Sequence, residues 1–212
     1  MFAKFASISP AVWGILAALV ILGVFLFVAS QNKKKWSARM IANAALSIAL
    51  AFVLSYIRLY KLPQGGSITL ASMLPIFLFA YAYGVGPGFL VGAAYGVLQF
   101  IQDAYFVHPV ELLLDYPLAF AMLGLAGIAS RSGKTNQLVL GIVLGAVGRF
   151  ICAFLAGMIF FGEYAPEGTP VIVYSAVYNG LYLIPETIIC LVLAMVPAVQ
   201  RLAKTLALEE RR

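Results

Sequence analysis

Residues 112–130 read LLLDYPLAFAMLGLAGIAS. Only Asp115 is charged in this run, and the run is long enough for a helix that crosses a bilayer. A charge at bilayer depth costs about 2.5–3.5 kcal/mol on insertion scales, so such residues face a cavity and mark a ligand or ion path. The run therefore predicts a membrane fold, and within it a binding role for Asp115.

The rest of the chain agrees with the first expectation. Its 212 residues are 63% hydrophobic and 10% charged, with a mean hydropathy of +1.00. Soluble domains average about 25% charged residues. Apolar runs at 8–30, 39–59, 70–83, 86–102, 111–130, 138–161 and 170–196 are the expected spans. The third is short, and is either tilted or broken at Pro75. The first is long for the apolar part of a signal peptide, has no A-x-A-like cleavage site and is followed by Lys33, Lys34 and Lys35. It reads as a retained additional helix. The expected organisation is an N-terminal helix and basic linker over 1–36, a six-helix substrate-binding domain over 37–200 and a charged cytoplasmic tail over 201–212.

Lys and Arg in short loops set orientation. On one side fall Lys33, Lys34, Lys35, Arg39, Arg131, Lys134, Arg201, Lys204, Arg211 and Arg212; on the other, only Lys4, Arg58 and Lys61. The first side is therefore expected inside. Its cations flank apolar runs, so the net charge of +6 does not imply nucleic acid. The outer side collects Asp103, Glu111, Asp115, Glu163 and Glu167, with Tyr105, His108 and Tyr164. An acidic, aromatic face suits an organic cation, which an aromatic face attracts by its quadrupole and a carboxylate by charge.

Patterns inside the spans refine this. Gly84, Gly88, Gly92 and Gly96 recur every four residues, the spacing that brings helices close together. Tyr95, Gln99 and Gln102 form a polar stripe expected to face the bundle interior, as do Ser175, Asn179, Tyr182 and Glu186, with Tyr174 and Tyr178 beside them. Asn179 offers a donor and an acceptor, suited either to a heteroaromatic ring or to another helix. Arg149 and Glu186 both fall near the bilayer midplane, and a structural ion pair between them is expected because an unpaired charge there is expensive. Ala45 and Ala49 make a flat strip for a neighbouring helix. Cys152 and Cys190 lie in apolar runs with no metal-ligand or disulfide spacing. No catalytic signature and no nucleotide-binding loop occur, so no cofactor or enzymatic activity is expected and uphill transport would need an external motor or an ion gradient.

LLLDYPLAFAMLGLAGIAS at 112–130 and FFGEYAPEGTPVIVYSAVYNGLYLIPETII at 160–189 resemble the thiamin-specific substrate-binding (S) component, the ThiT family, of energy-coupling-factor transporters. SITLASMLPIFLFAYAYG at 67–84 and AYGVLQFIQDAY at 94–105 extend the resemblance over most of residues 40–196. It implies an all-α membrane protein with a six-helix bundle, here preceded by one additional helix. It further implies a non-enzymatic subunit in the bacterial plasma membrane that captures thiamin outside and delivers it inward. Its partners would be a transmembrane coupling protein and two ABC-type ATPases. Asp115, Tyr116, Tyr174 and Asn179 match thiamin-contacting positions, Tyr95 and Tyr105 match aromatic ones, and Ala45 and Ala49 match the surface for the coupling protein. Phe161 replaces a family tryptophan, Gly65-Gly66-Ser67 occupies the lid, and a histidine of the fifth family helix is missing, with Ala153 nearby, so the cage, Tyr178 included, would be built from Tyr and Phe. Alternative readings are an S component for another vitamin or a thiamin precursor, and an ion-coupled carrier of a small organic cation using Asp115, Glu186 and Arg149 as a relay.

Overall fold

The computed structural model describes Gly23 and residues 36–129 and 135–209. The expected first span, the cations at 33–35 and those at 131 and 134 lie outside them.

Helix α1, Ala38–Ser55, starts at Ser37, whose hydroxyl accepts from the Met40 amide at 3.2 Å. A short hairpin follows, β1 (Arg58–Lys61) against β2 (Ser67–Thr69), in the region expected only as a lid loop. Its turn needs Gly65, at φ 95°. Helices α2 (Leu74–Tyr83) and α3 (Val85–Gln102) meet at Gly84, at φ 94°. Pro75 opens α2 rather than breaking it, because a first-turn position needs no amide donor. Next come α4 (Pro109–Ala129), α5 (Thr135–Phe160), a tight turn at Gly162–Tyr164, α6 (Val171–Ala194) and α7 (Pro197–Glu209).

Five of these helices, α1, α3, α4, α5 and α6, are long and apolar enough to span a membrane. Helix α6 shows how the bilayer orders side chains. Val173, Val177, Leu181, Ile184, Ile188 and Val192 are exposed along one face. Ser175, Asn179, Tyr182, Glu186 and Cys190 are buried along the other. Polar groups point inward and hydrocarbon outward, because lipid solvates hydrocarbon and leaves polar groups to find partners inside.

Close packing of α3 on α4 follows the glycines. A Cβ on Gly92 would stand 2.3 Å from the Phe120 carbonyl oxygen, and one on Gly96 2.5 Å from that of Tyr116. Residue 88 makes a similar approach to Gly124, whereas Gly84 serves the turn instead.

Helix α2 has only ten residues, about 15 Å at 1.5 Å per residue, and all but Pro75 are buried. The backbone from Leu70 to Met73 descends irregularly into the bundle to reach it, with Ala71 at φ 54°. Irregular backbone is tolerated at such depth only when protein encloses it. Glu186 supplies the enclosure: its Oε1 accepts from the Ser72 hydroxyl at 2.9 Å and from the Thr69 hydroxyl.

The expected Arg149–Glu186 pair is not made as a direct contact, although the charge of Arg149 still acts on Glu186. Glu186 is occupied by Thr69 and Ser72, while the Arg149 guanidinium lies 4.0 Å over the Phe120 ring and its buried Nη1 has no hydrogen-bond partner. The expected boundary at 200/201 also shifts. It falls inside α7, whose Ala203 and Ala207 are buried in the main core with residues of α2. Small residues four apart dock the helix there, although it also carries Arg201 and Lys204 on its exposed faces.

Candidate ligand-binding site

A cavity opens at the end of the bundle where the hairpin, the 103–108 connection and the 161–170 turn gather. Three helices supply most of its wall.

From α4 come Glu111, Asp115, Tyr116, Ala119 and Phe120. The helix begins with a capping arrangement: His108 Nδ1 accepts from the Val110 amide at 3.0 Å, and Glu111 Oε2 accepts from the Val107 amide at 2.9 Å. Over Leu114–Leu118 it widens into a π turn, with the Ala119 amide donating to the Leu114 carbonyl. Pro117, which lacks an amide hydrogen, sits in that turn. Such widened turns frequently occur at functional sites. Asp115 and Tyr116 both lie on it, and the Asp115 carboxyl lies against that of Glu111, one turn away. Tyr116 does structural work as well. Its hydroxyl accepts from the Tyr105 amide at 3.1 Å and lies 3.1 Å from the Asp103 and Tyr105 carbonyls, pinning the 103–105 segment.

From α5 and the residue after it, Arg149, Ala153, Gly157 and Phe161 line the cavity four residues apart. Ala153 and Gly157 leave the space that larger side chains would fill. Gly157 is also required by α6: a Cβ there would stand 2.3 Å from Ser175 Oγ.

From α6 come Tyr174, Ser175, Tyr178, Asn179 and Tyr182. Asn179 borders the cavity, but its amide is satisfied by the protein. Nδ2 donates to the Ser175 carbonyl at 2.9 Å and the Ala153 carbonyl at 3.2 Å, while Oδ1 accepts from Tyr182 at 2.9 Å. Of the two roles its sequence allowed, the interhelical one is formed.

The rim is aromatic. Tyr105 stacks on Phe161 at 6.1 Å, and its hydroxyl lies 3.2 Å from that of Tyr164. Tyr174 and Tyr178 rings lie 5.9 Å apart. His108 stacks on Phe160 at 5.2 Å and is not part of the cavity wall.

The hairpin covers one side. Tyr178 Oη accepts from the Gln64 and Gly66 amides at 3.1 and 3.3 Å. Arg58 and Lys61 each reach Asp103 Oδ2 at 2.7 Å. The Lys61 hydrogen bond, and the charge of Arg58 beside it, hold the Asp103 carboxyl below the usual carboxylate range. A lowered value means that this contact is intact above the ordinary aspartate pKa and is lost as pH falls through the depressed one. Acidification below about pH 4 is therefore expected to loosen the hairpin. Amide hydrogen exchange over residues 58–69 should rise there a few-fold, as exposed pairs are weak. Asp103→Asn should show the raised exchange already at neutral pH.

Seven of the expected binding residues thus meet in one cavity: Tyr105, Asp115, Tyr116, Phe161, Tyr174, Tyr178 and Asn179. Tyr95 does not. It is fully buried one turn deeper than Gln99, with its hydroxyl 3.3 Å from the Ala51 carbonyl and its ring edge-on to Phe120. Phe120 covers it, so only Gln99 of that stripe reaches the cavity, while Gln102 bonds Ser55. Glu111, Arg149 and Tyr182 join the wall, although sequence gave them other roles or none. Ala45 and Ala49 lie on an exposed face of α1 and are not part of the cavity wall.

A bundle of helices long and apolar enough to span a membrane, around an acidic, aromatic cavity, defines the class as a multi-pass membrane protein with an internal cavity. Comparison with known proteins narrows the class. Residues 41–206 match the family described as thiamine transporter protein (Thia_YuaJ). The thiamine transporter ThiT of Bacillus subtilis is 36% identical over 174 residues, covering 76% of this chain and 90% of the relative. The thiamine transporter ThiT of Lacticaseibacillus paracasei is 28% identical over 172 residues, covering 72% of this chain and 83% of the relative. A solved structure of ThiT from Listeria monocytogenes superposes with a TM-score of 0.68 at 25% identity, covering 78% of this chain and 93% of that one. The chain belongs to the thiamine transporter family, a family of multi-pass membrane transporters and not of enzymes.

Proposed function

We propose that this chain is the substrate-binding subunit of an energy-coupling-factor transporter and that its ligand is thiamin, captured at the outer face of the cell membrane. The observation that carries this reading is the placement of Asp115 and Glu111 in a cavity rimmed by Tyr105, Phe161, Tyr174 and Tyr178. Thiamin joins a cationic ring to a neutral heteroaromatic one, and carboxylates with aromatic faces are the groups that attract such a cation. The hairpin and the 161–170 turn serve as the lid. Energy comes from outside the chain, since its sequence has no nucleotide-binding loop. The exposed Ala45 and Ala49 on α1 give a coupling protein a smooth surface to pack against, with two ATPases behind it.

The ion-coupled reading fares worse. It would use Asp115, Glu186 and Arg149 as a relay, and of these Glu186 already accepts hydrogen bonds from Thr69 and Ser72. Isothermal titration of the purified protein with thiamin tests the proposal. Binding below micromolar concentration is expected, and absence of heat at micromolar protein and ligand rejects it. Uptake by the chain alone in vesicles, driven by a proton or sodium gradient, would favour the carrier instead.

A further inference from the structure

We propose that Glu111 makes capture an exchange: in the empty cavity its carboxyl and that of Asp115 hold one proton between them, and the arriving cation displaces that proton to the outer side. This rests on the thiamin reading above and adds a proton to it.

The two acids stand one turn apart on α4, and both line the cavity. Asp115 is half-buried and open to the cavity, while Glu111 is buried at 1% exposure. Glu111 Oε2 accepts from the Val107 amide at 2.9 Å, which fixes the side chain in place. Held there, its carboxyl hydrogen-bonds that of Asp115. A carboxylate only accepts hydrogen bonds, so a bond between two carboxyl groups needs a proton on one of them. Like charges forced together in a site away from water have the same result. A cation entering beside Asp115 supplies the positive charge that the proton supplied before. The carboxyl O–H bond then breaks, the proton leaves through the mouth, and the pair passes from one negative charge to two as the ligand's positive charge enters.

The groups around the pair do not mimic this titration. Arg149 and Cys152 act on Asp115 from α5, and Tyr178 and Tyr182 from α6; Tyr105 and Tyr116 lie on the outer side. Between about pH 6 and 9 arginine stays charged and tyrosine neutral, and a thiol in apolar surroundings stays neutral too. Asp103 stays ionised beside Arg58 and Lys61. His108 has an ordinary pKa inside that range, so it needs its own control.

Thiamin is titrated into the wild type, Glu111→Gln and His108→Asn between about pH 6 and 9, in two buffers of different ionisation enthalpy. Gln keeps an oxygen for the Val107 amide and places an N–H where the shared proton lies; Asn keeps an acceptor for the Val110 amide. A group that loses a proton on binding strengthens binding as pH rises, by up to about tenfold per pH unit for one proton. The wild type and His108→Asn should therefore gain at least about threefold per unit within this range and release protons to the buffer. Glu111→Gln should release none, and its affinity should vary by less than about twofold over the whole range. Wild-type binding without pH dependence or proton release overturns the exchange and leaves the thiamin reading standing. A slope that survives in Glu111→Gln, or disappears in His108→Asn, also overturns it. Failure of thiamin to bind the wild type at any pH rejects the thiamin reading itself. Should Glu111→Gln not fold, infrared difference spectra of the wild type decide. Loss of a protonated-carboxyl C=O band on binding supports the exchange, and an unchanged band overturns it.

Discussion

Replacing Asp115 with Ala is expected to weaken thiamin binding by about tenfold to a hundredfold, the range of a lost hydrogen bond to a charged group. The carboxylate stands on the π turn of α4, in the cavity wall. The loss should be one of affinity, not of folding. Asp115 supports no backbone segment, whereas its neighbour Glu111 caps the helix through the Val107 amide. Asp115→Asn, nearly the same shape without the charge, separates the two parts of the effect. It should bind as poorly as the alanine variant if charge carries recognition, and recover most of the affinity if shape does. Titration calorimetry and thermal unfolding in detergent, measured together, check both statements. Equal affinity of all three proteins would remove Asp115 from the site.

Gly96→Ala should be among the more damaging single methyl groups in the bundle, and the one that bears most directly on the cavity wall. The new Cβ would meet the Tyr116 carbonyl oxygen at 2.5 Å, the Tyr116 carbonyl carbon at 2.8 Å and the Phe120 Cβ at 3.1 Å. Two of these atoms are backbone and cannot rotate away. Overpacking costs about 1–3 kcal/mol when side chains can yield, and this site belongs at or beyond the upper end. The displaced segment carries Asp115 and Tyr116, so binding should fall with stability. Gly84→Ala is strained for another reason, its φ of 94°, but would touch nothing within 4 Å. It should lower the melting temperature with a smaller effect on affinity. If Gly96→Ala binds thiamin normally, α3 and α4 have more freedom to separate than their contact implies.

The spans were legible because the bilayer imposes a simple rule on them. In α6 the inward residues at 175, 179, 182, 186 and 190 and the outward residues at 173, 177, 181, 184, 188 and 192 are two helical stripes visible in the sequence. Asp115 was legible for a related reason, as the one charge in an apolar run. What was hidden depended on irregular backbone. The strands Arg58–Lys61 and Ser67–Thr69 are too short to show alternation. The descent through Leu70–Met73 has no periodicity at all, yet it decides the partner of Glu186 and thereby leaves Arg149 to the cavity. Tyr95 and Gln99 share a stripe, and only the position of Phe120 on another helix determines which one meets the cavity. The capping role of Glu111 was hidden because histidine is an unusual cap residue. In α7 the charges drew attention from Ala203 and Ala207, whose four-residue spacing was the better clue.

Helix α2 bears on how the protein is made. At ten residues it is too short to be recognised as a span on its own, and once in place it is walled off from lipid on every side. It cannot wait in the bilayer as an independent helix until its neighbours are synthesised. It must enter with α3, joined through Gly84, and be sealed only when α4 and α7 have emerged from the ribosome. Closure of α7 over α2 is thus a late step of assembly, and in ribosome-stalled chains lacking α7 single cysteines introduced along α2 should be open to water-soluble thiol-reactive reagents.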